Sequence, residues 1–310
     1  MKIVFMGTPD FAVEALKAII QAGHEVMCVV TQPDKPKGRG KEMQFTPVKK
    51  CALEHQIPVL QPVKVREAES VEALRAFGAD IFVVAAFGQI LPKELLVMPK
   101  YGCVNIHASL LPKYRGAAPI QWAVINGEKE SGVTIQQMGE GVDTGDILLK
   151  RAVALDNKET GESLYDKLSR LGAELIVEVL PEIEAGKVIP EKQEEALSTH
   201  VGKITKAMGL IDWNKSAEEL ERLVRGLNSW PSAYTFFRGK TLKIWETEVL
   251  GEKESGEAGS IASVTKTSVI VNTGAGKLAL TNVQLEGKKR MEVKDFLLGY
   301  KVEAGEKLGK

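Results

Sequence analysis

The chain has 310 residues, 44% hydrophobic and 26% charged, with 41 basic and 41 acidic side chains. Such a length suits two domains that each bury a core, and these fractions exclude a globally disordered chain. Balanced charge excludes a whole-molecule pull toward nucleic acid or a membrane surface, leaving only local charge to act.

In chain order, short β-branched runs alternate with helical patterns, which argues for βαβ units around an open, mostly parallel Rossmann-like sheet. Strands are predicted over residues 3–6, 26–30, 81–85 and 103–106, and helices over 11–22, 47–54, 71–77 and 118–126. Gly7-Thr8-Pro9-Asp10-Phe11 stands where a dinucleotide-binding fold carries G-x-G-x-x-G. That fingerprint is absent, and proline followed by aspartate suits a helix start, so no NAD is expected. Strands over 135–137 and 147–153 precede a long amphipathic helix over 163–185, ended by Gly186. Residues 187–205 are polar, contain Pro190 and change period, which predicts a linker. The expected division is therefore a domain over 1–186, a linker over 187–205 and a second domain over 206–310. A helix over 217–227 then leads into short strands at 234–237, 241–247, 259–264, 268–272 and 277–283, a pattern that suggests a small β-barrel.

Three polar residues carry the chemistry. Asn105 and His107 lie two apart at the end of a strand, so they project from one face. Asp143 follows in Gly141-Val142-Asp143-Thr144-Gly145-Asp146. An amide donor, an imidazole and a carboxylate can stabilise an oxyanion and move a proton at neutral pH. In an open α/β sheet, ligands bind outside the carboxyl ends of the strands, which is where Asn105 and His107 fall. His24, His55 and His200 are scattered in unlike contexts, and no metal is expected. Cys28, Cys51 and Cys103 are odd in number with no C-x-x-C pair, which suits a reducing cytosol better than a disulfide framework. The chain enters an apolar strand at Lys2-Ile3-Val4-Phe5 with no signal segment before it, and no apolar run approaches the ~20 residues of a membrane span. The expected location is cytoplasmic, away from membranes.

Local charge is uneven. From Lys206 onward there are 17 basic and 14 acidic residues, against 24 and 27 before it. Between positions 33 and 50, Lys35, Lys37, Arg39, Lys41, Lys49 and Lys50 face only Asp34 and Glu42. The overlapping Pro/Gly/Lys-rich stretch 31–41 is predicted to be a mobile, charged loop that could meet a polyanion.

The run Asn105-Ile106-His107-Ala108-Ser109-Leu110-Leu111-Pro112-Lys113-Tyr114-Arg115-Gly116-Ala117-Ala118-Pro119-Ile120 resembles the central motif of the folate-dependent formyltransferases. Three further stretches narrow the resemblance to the members that formylate methionyl-tRNA. They are Thr31-Gln32-Pro33-Asp34-Lys35-Pro36-Lys37-Gly38-Arg39-Gly40-Lys41, Gly209-Leu210-Ile211-Asp212-Trp213, and Arg225-Gly226-Leu227-Asn228-Ser229-Trp230-Pro231-Ser232-Ala233-Tyr234-Thr235. The resemblance implies the formyltransferase fold followed by an OB-like, tRNA-binding barrel. It implies 10-formyltetrahydrofolate as donor and the α-amino group of methionyl-initiator-tRNA as acceptor, with no obligate protein partner. Asn105, His107 and Asp143 would be catalytic: an oxyanion donor, a group that stabilises charge and assists proton movement, and the carboxylate that orients it. Ser109, Leu110, Leu111 and Pro112, with Phe87, Gln89, Ile90 and Leu91, would contact the reduced folate. Lys35, Lys37, Arg39 and Lys41 would contact the tRNA, Arg39 as the principal one.

Other members of the family share parts of this pattern. Glycinamide ribonucleotide formyltransferases share the Asn-His-Asp arrangement but resemble only the first ~200 residues. Aminosugar-nucleotide formyltransferases carry a similar two-part body. A formyltetrahydrofolate hydrolase domain would be followed by a dehydrogenase portion. A non-enzymatic RNA-binding protein would use the barrel and basic loop but leave Asn105, His107 and Asp143 without a role.

Overall fold

The structure, a computed structural model, describes residues 1–37, 42–251 and 256–309. Its contacts divide into two compact units. The first comprises Met1–Pro119, Glu130–Ala154 and Tyr165–Val201, and the second Ile120–Lys129, Leu155–Leu164 and Gly202–Lys310. The expected segmentation differs in two respects. Residues 187–201, expected in the linker, cluster with the first unit, and two excursions of the first half cluster with the second. A polar segment can be fixed by its hydrogen bonds, which composition does not reveal.

The elements of the first half run β1 (Lys2–Gly7), α1 (Asp10–Gln21), β2 (Glu25–Val30), β3 (Lys35–Lys37), β4 (Glu42–Gln44), α2 (Pro47–Glu54), β5 (Val59–Leu60), α3 (Ala68–Arg75), β6 (Ile81–Ala85), α4 (Lys93–Leu96) and β7 (Cys103–His107). There follow β8 (Arg115–Gly116), α5 (Pro119–Ile125), β9 (Glu130–Gln137), β10 (Ile147–Ala154), α6 (Gly161–Glu184) and β11 (His200–Val201). The main sheet has the order β10-β9-β7-β6-β1-β2-β5. β5, β2, β1, β6 and β7 are parallel, while β9 and β10 close one edge antiparallel. β1 and β6 read as continuous apolar runs because both of their faces are covered: residues 3–6 and 81–85 are all buried. One side of the core gathers Val4, Met6, Val30, Phe82, Val84 and Leu95. Gly7 is required where β1 turns into α1, since a Cβ there would stand 2.7 Å from the Ala12 methyl and 2.9 Å from the Ala85 carbonyl oxygen.

Strand order reverses between β1 and β6, the place where open α/β sheets form their crevice. The Thr8 hydroxyl, just past β1, donates to the Phe87 carbonyl just past β6 at 3.1 Å, tying the two strand ends together.

The second unit holds α7 (Ala217–Gly226), β12 (Ala233–Phe237), β13 (Lys240–Leu250), β14 (Ile261–Val264), β15 (Val269–Asn272), β16 (Lys277–Leu285), β17 (Met291–Glu292) and α8 (Val293–Gly299). Ser216 and Glu219 form a reciprocal capping box that starts α7, at 3.2 and 3.0 Å. The six strands form one antiparallel sheet, ordered β12-β13-β16-β15-β14 with β17 also on β16. Among the described residues no ladder joins β14 to β12; the C-terminal tail fills that gap. Gly305 and Leu308 donate to Ile261 and Gly259 on the β14 side, and Gly309 donates to Phe236 on β12. Leu242, Ile244, Val271, Leu278 and Phe296 form the interior. No helix among the described residues is long and apolar enough to cross a membrane.

Candidate functional site

β7 and β9 pair antiparallel with Asn105 opposite Gln136 and His107 opposite Thr134. Directly opposed residues share a sheet face, so four polar side chains collect where β7 ends. His107 is only 6% exposed. Its Nε2 lies 2.9 Å from the Tyr114 carbonyl oxygen, which can only accept, so this nitrogen carries a proton in the observed geometry. Nδ1 then faces Asp143, 3.5 Å from Oδ1. The Asp143 carboxylate is held on two further sides: Gln136 Nε2 donates to Oδ1 and the Gly116 N–H donates to Oδ2, both at 2.9 Å. Asn105 is half-buried, and its carboxamide has no hydrogen-bond partner among the described residues, which leaves its N–H groups available to a ligand.

Both backbone positions that frame the imidazole are left-handed. Tyr114 has φ 60° and Asp143 has φ 55°, a conformation that costs a non-glycine residue energy and persists only when its surroundings enforce it. Those surroundings come largely from residues 191–201, part of the segment expected to be a linker. Thr199 accepts from the Tyr114 N–H through its hydroxyl and from the Arg115 N–H through its carbonyl, both at 2.8 Å. Val201 accepts from the Ala117 N–H, and β11 runs parallel to β8. Arg115 is 1% exposed. Its Nε donates to Gln193 at 3.1 Å and its Nη1 to Glu195 at 2.9 Å, and the hydrogen bond from Arg115 is the main cause holding the Glu195 carboxyl below its ordinary value. Gln193 Nε2 in turn donates to the carbonyls of Asp143 at 2.9 Å and Gly145 at 2.7 Å. Gly145 is pressed so close to β9 that a Cβ would overlap the Gln137 carbonyl oxygen.

The segment after β7 is equally fixed. Ser109 Oγ donates to Lys113, while Thr134 donates to the Ser109 carbonyl and accepts from the Leu111 N–H. Leu111 is 1% exposed, Leu110 lies against β9 at Gly132, and the Pro112 carbonyl accepts from Thr199. Past β6, the side chains expected to touch folate divide. Phe87 and Leu91 belong to the core. The Gln89 carboxamide brackets the backbone of Pro62 and Val65 at 3.0 and 2.7 Å. Ile90 is 75% exposed.

Lys35 is exposed on β3, and the stretch expected to be a mobile loop is a short hairpin in its described parts, with Lys35 opposite Gln44 and Pro36 opposite Met43. Lys37 ends β3, whereas Arg39 and Lys41 lie outside the described residues. The hairpin is anchored at its base. Asp34 meets Lys49 and accepts from Gln61 at 2.8 Å, and Thr31 bonds Thr46 hydroxyl to hydroxyl at 2.8 Å.

Sequence reasoning passed over Arg115, Gln136, Gln193 and Thr199 as working parts. Arg115 had a visible signal, a charged residue eight positions after His107 among apolar neighbours. Gln193 and Thr199 had none, since one polar stretch reads like another until its partners are known.

The sequence profile described as formyl transferase matches residues 1–180, and that of the formyl transferase C-terminal domain matches 203–301. A methionyl-tRNA formyltransferase of Agathobacter rectalis is 59% identical over 98% of both chains. One of Lachnospira eligens is 55% identical over the full length of both. Among solved structures, an N-formyltransferase of Helicobacter canadensis in complex with folinic acid and dTDP-3-aminofucose superposes with a TM-score of 0.67 at 20% identity, covering 90% of this chain and 98% of that one. With two family profiles spanning most of the chain and full-length relatives in agreement, the chain belongs to the formyl transferase family, in the group of the methionyl-tRNA formyltransferases.

Proposed function

We propose that the chain transfers a formyl group from 10-formyltetrahydrofolate to the α-amino group of methionyl-initiator-tRNA, giving formylmethionyl-tRNA for translation initiation in the cytoplasm. The observation that carries this reading is the buried His107–Asp143 pair, with Asn105 on the same strand face and its carboxamide without a partner among the described residues, in a chain 59% identical to a protein of that name. The folate supplies an activated formyl carbon. The amine nitrogen bonds to that carbon, the carbonyl oxygen becomes an oxyanion, and the amine proton leaves. The bond to the folate nitrogen then breaks and that nitrogen takes up a proton, so formyl-amide and tetrahydrofolate balance the substrates.

Asn105 donates to the oxyanion through its side-chain amide, an interaction worth roughly 100- to 1,000-fold in turnover at comparable acyl-transfer sites. For His107 to stabilise the same charge and assist the proton's departure, its Nε2 exchanges the Tyr114 carbonyl for the substrate while Nδ1 stays toward Asp143. Asp143 fixes the imidazole plane and accepts the proton through bound water. Ile90, the main chain of residues 86–90 and the Ser109–Pro112 turn form the slot for the pterin, since backbone polar groups beside apolar side chains suit a flat heterocycle. The cationic stretch of Lys35, Lys37, Arg39 and Lys41 meets acceptor-arm phosphates, and the second unit, an OB-like barrel, carries the rest of the tRNA.

The test is direct. The protein is incubated with formyl-labelled 10-formyltetrahydrofolate and either methionyl-initiator-tRNA or glycinamide ribonucleotide. Label in formylmethionyl-tRNA supports the reading. Label only in the ribonucleotide, or none in either acceptor, overturns it.

A further inference from the structure

Residues 112–117 and 143–145 come from separate parts of the chain, yet between them they fix the imidazole and its carboxylate. Three consecutive residues perform three tasks. The Tyr114 carbonyl accepts from His107, the Arg115 guanidinium reaches Gln193, and the Gly116 N–H holds Asp143 Oδ2. The loop is closed by Gln193, whose carboxamide takes Arg115 Nε on its oxygen and donates from its nitrogen to the Asp143 and Gly145 carbonyls. The assignment of that carboxamide is unambiguous. A flipped amide would set its oxygen against two carbonyls and its nitrogen against a guanidinium, making all three pairings repulsive.

We infer that Gln193 is a positioning residue for the formyl transfer proposed above, acting through the left-handed turn at Asp143. The inference rests on that functional reading. Asp143 must hold φ 55° for its carboxylate to meet both Gly116 and His107, and the main-chain carbonyl of this strained residue is one of the two groups that Gln193 grips. Arg115 supplies the fixed end of the grip. It is buried, whereas its ionic partner Glu195 is largely exposed, so the guanidinium projects from the interior to bolt residues 193–195 down. Loss of the grip lets Asp143 relax toward ordinary backbone angles. A shift of even 1 Å in a catalytic group costs turnover steeply. Gln193 touches no reacting atom; its influence falls on kcat rather than on either substrate's affinity.

Two variants separate this role from a merely structural one. Gln193→Leu removes both the acceptor and the donor. Gln193→Glu keeps an acceptor for Arg115, and so keeps the segment docked, but replaces the donor to the two carbonyls with a repelling charge. Both are expected to lower kcat about 10- to 100-fold, with KM for folate and for methionyl-tRNA within about threefold of wild type. Only Gln193→Leu should lower the melting temperature appreciably. In an Asp143→Asn background, adding Gln193→Leu should cost nothing further, because a residue that acts through Asp143 has nothing left to position. A Gln193→Glu protein with wild-type kcat overturns the inference, as does a full multiplicative loss in the double variant. Absence of formylation by the wild-type protein overturns the functional reading instead, so the two failures are distinct.

Discussion

The His107 site and the Lys35–Gln44 hairpin lie in the same unit and are fixed to opposite degrees. At the site, His107 and Asp143 are mostly buried, and residues far apart in sequence hold the turns that carry them. In the hairpin the fixed groups are at the base, where Asp34, Lys49 and Gln61 meet, while Lys35 and the apolar side chains of Met43 and Phe45 stand exposed. Charge developing on one carbonyl oxygen needs donors already in position, because reorganisation during the reaction raises the barrier. A flexible polyanion needs only cations that can follow its phosphates. The same chain thus pairs an over-determined centre with a pair of short strands tethered through Asp34 and Thr31.

The largest effect should come from the centre. His107→Ala is expected to retain the fold, because the residue lies at a strand end beside polar neighbours, and to reduce turnover about 100- to 10,000-fold. Asn105→Ala should cost about 100- to 1,000-fold. Single-turnover rates with saturating substrates check both, and a near-native rate for either variant removes it from the chemistry. Next comes Asp143→Asn, which keeps the shape but loses the charge facing the imidazole. A fall in rate of about a hundredfold is expected, within the range for acid–base groups. Circular dichroism should remain close to wild type and melting should fall only modestly, since one of the two donors to Asp143, Gly116 N–H or Gln136, loses its acceptor. If melting collapses alongside the rate, the carboxylate is a structural clamp between Gly116 and Gln136 rather than a partner of His107.

How much of this contrast could be read from the residues follows from where each interaction reaches. β1, β2 and β6 were legible because parallel strands covered on both faces leave continuous apolar runs. Asn105 and His107 were legible because strand periodicity alone puts them on one face. The short β5, β8, β11 and β17, of two residues each, have no period to detect. The hairpin escaped notice because Pro36 and the lysines lack strand propensity. The clamp at Arg115 was illegible for a different reason: its partners stand 78 and 80 positions away, in a stretch whose composition suggests a linker. Similarly, residues 155–164 read as the approach to a long helix, yet they cluster with the second unit, where the Glu159 carbonyl accepts from Arg225 and the Glu162 N–H donates to Asn228. A truncation near residue 205 would therefore strip partners from the first half of the chain as well as remove the second.

The arm should respond to salt where the centre does not. Lys35→Ala removes one exposed cation. It is expected to lower kcat/KM for methionyl-tRNA several-fold at moderate ionic strength while leaving folate affinity unchanged. The slope of log kcat/KM against log salt should become shallower by about one unit for each phosphate that Lys35 neutralises in the wild type. An unaltered slope would make Lys35 an ordinary solvated side chain and confine tRNA attraction to other surfaces.

The smallest effect concerns the base of the hairpin and depends on pH. Burial works to raise the Asp34 carboxyl, but the hydrogen bonds from Lys49 and Gln61, the charge of Lys49 and the Thr46 backbone together outweigh it and hold the group below the ordinary carboxylate range. A carboxylate depressed in the folded state stabilises that state above its unfolded value, and this contribution is lost as pH falls through the depressed value. At neutral pH the anchor should be complete. In acid, Asp34 protonates, the Lys49 pairing weakens, and the strands it tethers should open more often. Hydrogen exchange of the backbone amides of Lys35, Lys37 and residues 42–44, compared with those of β1 across this range, reads the opening directly. Asp34→Asn should abolish the extra acid-induced opening and raise exchange in the hairpin at neutral pH, with no change in β1. Equal acid sensitivity in wild type and Asp34→Asn would mean that the Thr31–Thr46 bond and the β3–β4 ladder hold the arm without this carboxylate, making its anchoring independent of charge.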